Sequence, residues 1–316
     1  MQETRVPSWL RRAVSDTQGL AGKGVEEVAL LAGGAIAALD AVVRAQGRWA
    51  GAWRQRLALS AAALAARQAG RVEDQSALRD AVLLTRQGDD VGPAGRILLA
   101  WRRLAATPAD ELLSEVSIRM VMDDFGLAYD DGSMSCLIDD LGQLSANDGT
   151  VAMTTRAFAV AEQYGLGRVL GAWLADALLA QRLGWTQAMP LLGAEAALGT
   201  TRSRRAVTAG QPQADDVEAG RTKSLLAAQA RAALRAIDLS TELGRRADKL
   251  LAVAPKLRAK ASDAVVERLL SDDAVIASEK IAGMSDRGLR RLFDRLMELG
   301  AVRELSGRPA FRVYGL

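Results

Sequence analysis

The stretch Leu57-Ala-Leu-Ser-Ala-Ala-Ala-Leu-Ala65 decides the fold class. Its apolar positions, among them Leu57, Ala61, Leu64 and Ala65, recur at spacings of three and four, the period of one face of an α-helix. Ala and Leu favour helix, whereas strands favour β-branched and aromatic residues. Outward from this stretch the character persists: 49% of the 316 residues are apolar but only 4% aromatic. A core built of Ala, Leu and Val predicts an all-α body. From Val25 to about Leu198 the pattern is helical almost throughout. It breaks at Gly70, the Gly88–Pro93 turn, Pro108, Asp130-Asp131-Gly132, Asn147-Asp148-Gly149 and Pro190. Those breaks imply seven or eight helices.

Several chemistries are excluded by composition. The chain has no histidine, so imidazole acid–base catalysis, Ser-His-Asp and Cys-His nucleophile systems and imidazole metal sites are ruled out. One cysteine, Cys136, leaves no intramolecular disulfide and no thiolate zinc cluster, which fits a reducing compartment. Cys136 itself reads as a buried small hydrophobe. The best apolar run, Val28 to Leu39, is twelve residues long, against the ~20 a membrane span needs. The expectation is a cytoplasmic protein with no membrane partner.

The acid pairs Asp89-Asp90, Asp123-Asp124, Asp130-Asp131 and Asp139-Asp140 read as turn and cap residues, because adjacent side chains on a helix diverge. A competing reading gathers Asp123, Asp124, Asp139 and Asp140 around Mg²⁺ as an enzyme site. Gly88 to Gly95 lacks the Lys-Ser/Thr ending of a phosphate-cradling loop. No cofactor, metal ligand or catalytic residue is assigned, and the expectation is a non-enzyme.

One signature repeats. Gly47-Arg48 with Ala52-Trp53 is matched by Gly95-Arg96 with Ala100-Trp101 and by Gly167-Arg168 with Ala172-Trp173. The spacings are unequal, so this is no regular solenoid. Each Gly is expected to start or closely pack a helix, and each Trp to anchor that helix in the core rather than hold a ligand.

The expected organisation is a loosely held arm over 1–24, the helical body over 25–198, a linker over 199–223, a cationic connecting helix within 224–260 and a C-terminal module over 261–316. The connecting helix runs from about Ser224 to Ala252, where Pro255 ends it. Residues 61–150 carry eight Arg and fifteen acids; residues 201–260 carry thirteen basic and six acidic residues. These segments either oppose or are solvated separately, or else the basic one is a phosphate-facing stripe.

The last segment has the strongest local pattern. Ala264–Leu270 is a short amphipathic helix, Ser278–Ala282 a second, and a third starts after the cap Ser285. That third helix places Leu289, Leu292, Phe293, Leu296 and Leu299 on one face, and Gly300 suits its end. Val302–Leu305, a Ser306–Pro309 turn and Phe311–Tyr314 read as a two-stranded β wing. Three helices and a wing make a winged helix-turn-helix. Its second helix would enter the major groove, addressed by Ser285, Arg287, Arg290, Arg291 and Arg295. Lys280, Arg308 and Arg312 would hold phosphates. Nine basic and nine acidic residues leave the module neutral overall, with seven Arg against three acids from 287 to 312.

The stretches Gly51-Ala-Trp-Arg-Gln-Arg-Leu-Ala-Leu59, Leu78-Arg-Asp-Ala81, Gly92-Pro-Ala-Gly-Arg96 and Ala254-Pro-Lys-Leu-Arg258 resemble the domain-of-unknown-function family 1403. The tail from Leu299 through Gly307-Arg308-Pro309 to Tyr314 is similar to winged-helix tails of some Fic-domain proteins. Fic catalysis needs a histidine, so that resemblance implies the tail alone and no activity. The leading expectation is a protein that binds double-stranded DNA, a transcriptional regulator or replicon-maintenance factor, with the body offering a homodimer or effector surface. The alternative is a scaffold or assembly subunit whose winged helix docks on protein.

Overall fold

Eleven of the nineteen residues of helix α4 (Ala50–Gln68) are buried, including every residue from Ala61 to Ala66. A helix apolar on nearly all sides belongs in the interior, and the rest of the chain is arranged around this one. The computed structural model describes residues 6–86, 88–195, 214–257, 261–281, 283–306 and 311–316. Helix α3 (Val25–Arg44) precedes α4; α5 (Gln75–Leu83), α6 (Gly92–Ala106), α7 (Glu115–Phe125), α8 (Asp131–Asn147), α9 (Thr150–Gln163) and α10 (Gly167–Leu183) follow. Five of the seven junctions between these helices fall at the expected turn formers; those at 45–49 and 164–166 were not among the expected breaks. Asp74, Ser114 and Asp130 accept backbone N–H bonds at the starts of α5, α7 and α8. Gly126 and Gly184 close α7 and α10 with φ of 70° and 64°, a region Gly enters without strain.

The three repeated tryptophans are core anchors. Trp53, Trp101 and Trp173 are all buried. Trp173 Nε1 donates to the Ala100 carbonyl at 3.1 Å, tying α10 to α6, and Trp53 Nε1 donates to the Ala236 carbonyl at 2.9 Å. Trp101 packs edge-on to Phe125 and covers Gly193, where any Cβ would run into its ring; among the described residues its indole N–H finds no partner.

Helix α11 (Ala214–Val253) spans 40 residues and lies mainly along α3. It starts ten residues earlier than the expected connecting helix, so residues 214–223 are not linker, and the rest of that expected linker, 199–213, lies outside the described residues. Val217, Glu218 and Ala219 are exposed, so this first stretch is helical by propagation from the docked part of α11 rather than by docking of its own. The expected loose arm is also corrected. Helix α1 (Ser8–Ser15) packs on α3 and α11, and α2 (Thr17–Gly22) on α1, with Leu10, Val14 and Leu20 buried. Arg11 clamps Asp238 of α11 through two bonds of 2.7 and 3.1 Å. The Leu10–Val14 spacing of four was the missed signal. Cys136 is exposed rather than buried: on α8 the buried stripe is Met134, Leu137, Leu141 and Leu144, and position 136 falls beside it.

The C-terminal module is α12 (Ser262–Ser271), β1 (Val275–Ile276), α13 (Asp286–Glu298), β2 (Arg303–Glu304) and β3 (Val313–Gly315). The two expected strands pair antiparallel, with Arg303 opposite Gly315, and β1 joins the other edge to give the order β1-β3-β2. The expected second helix is absent: residues 278–281 are irregular, and Ala282 and residues 307–310 lie outside the described residues. The segment is too short to nucleate helix on its own. Its groups also have other partners, since the Ala277 N–H donates to the Arg312 carbonyl and Glu279 accepts from Arg268 at 3.0 Å. No helix among the described residues is long and apolar enough to cross a membrane.

Candidate nucleic-acid interface

Helix α13 is sharply two-sided. Leu289, Leu292, Phe293 and Leu296 are buried, and Phe293 stacks on Tyr314 of β3 with ring centroids 4.2 Å apart and planes within 5°. Leu299, expected on the same face, is instead 36% exposed beyond the helix end. Ser285 caps the helix, its Oγ accepting from the Gly288 N–H at 3.2 Å, so this hydroxyl is engaged in holding the helix start. Gly300, at φ 63°, turns the chain away.

The opposite face carries Arg287, Arg290 and Arg291, all exposed and without an ion-pair or hydrogen-bond partner among the described residues. Residues three and four apart on a helix are neighbours, so these three guanidinium groups form one patch. Arg295 continues the row but pairs with Glu298 at 3.0 Å. Arg312 emerges beside the helix, 3.8 Å from both Asp294 and Glu304. Lys280 is exposed in the irregular segment before α13. Arg308 lies outside the described residues. The structure thus brings Arg287, Arg290, Arg291, Arg295 and Arg312 to one helix and its adjoining strand.

Sequence reasoning missed what seats this module on the body. Asp273 is completely buried between Arg56 of α4 and Arg79 of α5. Arg79 Nε donates to Asp273 Oδ2 at 2.6 Å, Arg56 Nε donates to Oδ1, and Arg56 also reaches the Asp273 carbonyl at 3.2 Å. Burial alone would push this carboxyl up, but the two guanidinium groups hold it below the usual carboxylate range. Arg102 of α6 adds a third nearby cation, its pKa lowered by burial and its Nε without a partner among the described residues. At the same seam Gly51 lets α4 approach α12 so closely that a Cβ would lie 2.6 Å from the Ser271 backbone. Arg246 of α11 donates to the Leu316 carbonyl at 3.0 Å. The available signal was an acid directly before the apolar run Ala274-Val-Ile276, with Arg56 and Arg79 inside two of the stretches that carry the family resemblance.

The acid pairs serve caps and ion pairs. Asp124 accepts from Arg103 at 2.6 Å, Asp131 from Arg119 at 2.7 Å, and Asp140 from the Tyr164 hydroxyl at 2.9 Å. Among the described residues no group of three or more acids or cysteines is placed to hold a metal ion. The family described as "Protein of unknown function (DUF1403)" matches residues 1–316. No curated protein and no solved structure matches the chain.

Proposed function

Given that the chain belongs to the DUF1403 family, whose description names no reaction, we propose from its geometry that it binds double-stranded DNA through α13, in the manner of a regulator or replicon-maintenance factor. The observation that carries this reading is the triplet Arg287, Arg290 and Arg291, unpaired among the described residues, on the solvent face of a helix whose other face is locked into the module. Guanidinium groups free of internal partners are available to phosphate oxygens or to guanine edges. The wing strand beside the helix brings Arg312, and Lys280 adds a cation before the helix start. The test is duplex binding measured across a range of salt. Arg290→Ala combined with Arg291→Ala is expected to weaken binding at least tenfold and to reduce the salt slope by about 2. Unchanged affinity and slope would overturn the assignment of this helix.

A second reading, a protein-docking scaffold, is favoured by exposed apolar groups on the same module. Phe311 is 66% exposed, with Met297 and Leu299 also open to solvent. That reading expects Phe311→Ser to disrupt a protein complex while the double arginine variant leaves it intact.

A further inference from the structure

A cleft of about 520 Å³ opens between α4, the turn Leu192–Ala194 with the residues before it, and α11. This volume lies within the range of small-molecule sites, roughly 300–1,000 Å³. Its floor is apolar, made by Leu57 of α4, Leu191 before the turn, and Ala232 and Leu239 of α11. Its rim is charged, and most of those charges are already matched. Arg235 pairs with the buried Glu195, which also receives Arg231 at 3.2 Å. Asp238 is held by Arg11, and Glu242 by Arg246. Arg245 is exposed on the rim and has no partner among the described residues.

The balance of charge is therefore one-sided. Counting the charged lining residues together with their ion-pair partners among the described residues, five cations (Arg11, Arg231, Arg235, Arg245 and Arg246) stand around three acids (Glu195, Asp238 and Glu242), an excess of two positive charges. Both acids on the rim are neutralised by their own arginines, so a cationic ligand would find no free counter-charge. An anion would find Arg245. A wholly polar anion would leave the Leu57, Leu191 and Leu239 floor without apolar cover.

We propose that this cleft binds a small amphipathic anion, its apolar body against Leu57, Leu191 and Leu239 and its anionic head on Arg245. The site is separate from the arginine face of α13, so its existence does not depend on DNA binding. It has a physical route to the C-terminal module, because Glu242 lines the cleft, binds Arg246, and Arg246 holds the Leu316 carbonyl.

Decanoate, which pairs a carboxylate with an alkyl chain, is the probe. Calorimetric titration of the full chain should show saturable binding below the concentration at which decanoate self-associates. Decyltrimethylammonium, with the same chain and the opposite charge, should bind at least tenfold more weakly. Arg245→Glu should weaken decanoate at least tenfold; the residue is exposed, so the variant should retain its circular dichroism spectrum. Leu239→Asn should weaken decanoate and decyltrimethylammonium alike, which separates the floor from the head site. Equal affinity for the two amphiphiles, an unchanged Arg245→Glu variant, or no saturation would each overturn the proposal. Duplex binding measured on Arg245→Glu keeps this outcome distinct from that of α13, since only the decanoate titration should change.

Discussion

Asp273→Asn is the substitution that most directly probes how the arginine-bearing module is held. The side chain is wholly buried, and its two partners Arg56 and Arg79 are only 13% and 8% exposed. Asn keeps the shape but removes the charge that both guanidinium groups were arranged around, with Arg102 close behind them. Breaking a buried ion pair from one side typically costs 3–5 kcal/mol, because the remaining charges stay desolvated and now repel. We expect a loss of about 3–5 kcal/mol, a large share of the ~5–15 kcal/mol that stabilises an ordinary domain. Urea unfolding at neutral pH measures it. A cycle with Arg79→Met should show Asp273→Asn costing at least about 1 kcal/mol less in the background lacking Arg79. The sign of the pH dependence is fixed by the depressed carboxyl. Its contribution is present above the unfolded value near 3.9 and is lost as pH falls through the lower folded value. The gap between wild type and variant should therefore close on acidification below about pH 4. A loss below 1 kcal/mol with no coupling to Arg79 would refute the view that this cluster seats the module.

Three further predictions follow from the packing. Gly51→Ala should destabilise the chain by about 1–3 kcal/mol through overpacking against Ser271, although Ala is intrinsically the better helix former by ~1 kcal/mol. A stabilised variant in thermal melts would show that α4 and α12 are not in close contact there. Burial pushes the Asp176 carboxyl up to about 8 against the pull of the Leu191 and Leu192 N–H donors. The native state then holds a proton that the unfolded chain releases, so stability should fall between pH 5 and 8 by at most about 1.4 kcal/mol per unit. Asp176→Asn should flatten that slope, and a flat wild-type profile would contradict it. Trp173→Phe should cost about 1 kcal/mol more than Trp101→Phe in denaturant melts, because only Trp173 loses a hydrogen bond. Equal costs would show that the bond to Ala100 contributes nothing.

Local rules reached far in this chain. The spacing of Leu57, Ala61, Leu64 and Ala65 and the turn formers at helix ends determined an all-α body of seven or eight helices, since these signals act within one or two turns of backbone. The burial of three tryptophans was legible for the same reason. The folded N-terminal helices and the missing helix at 278–281 were not, because short segments take their structure from what they dock on rather than from propensity, and the early start of α11 follows from propagation of a helix docked further along. The α13 arginines could be named from their period, but whether they were free could not, because pairing depends on which elements arrive opposite them. Asp273 shows the same limit most clearly. Its partners lie 217 and 194 residues away. Only the tertiary structure brings Arg56, Arg79 and this carboxylate together, and burial then turns an ordinary turn residue into the charge on which the module rests.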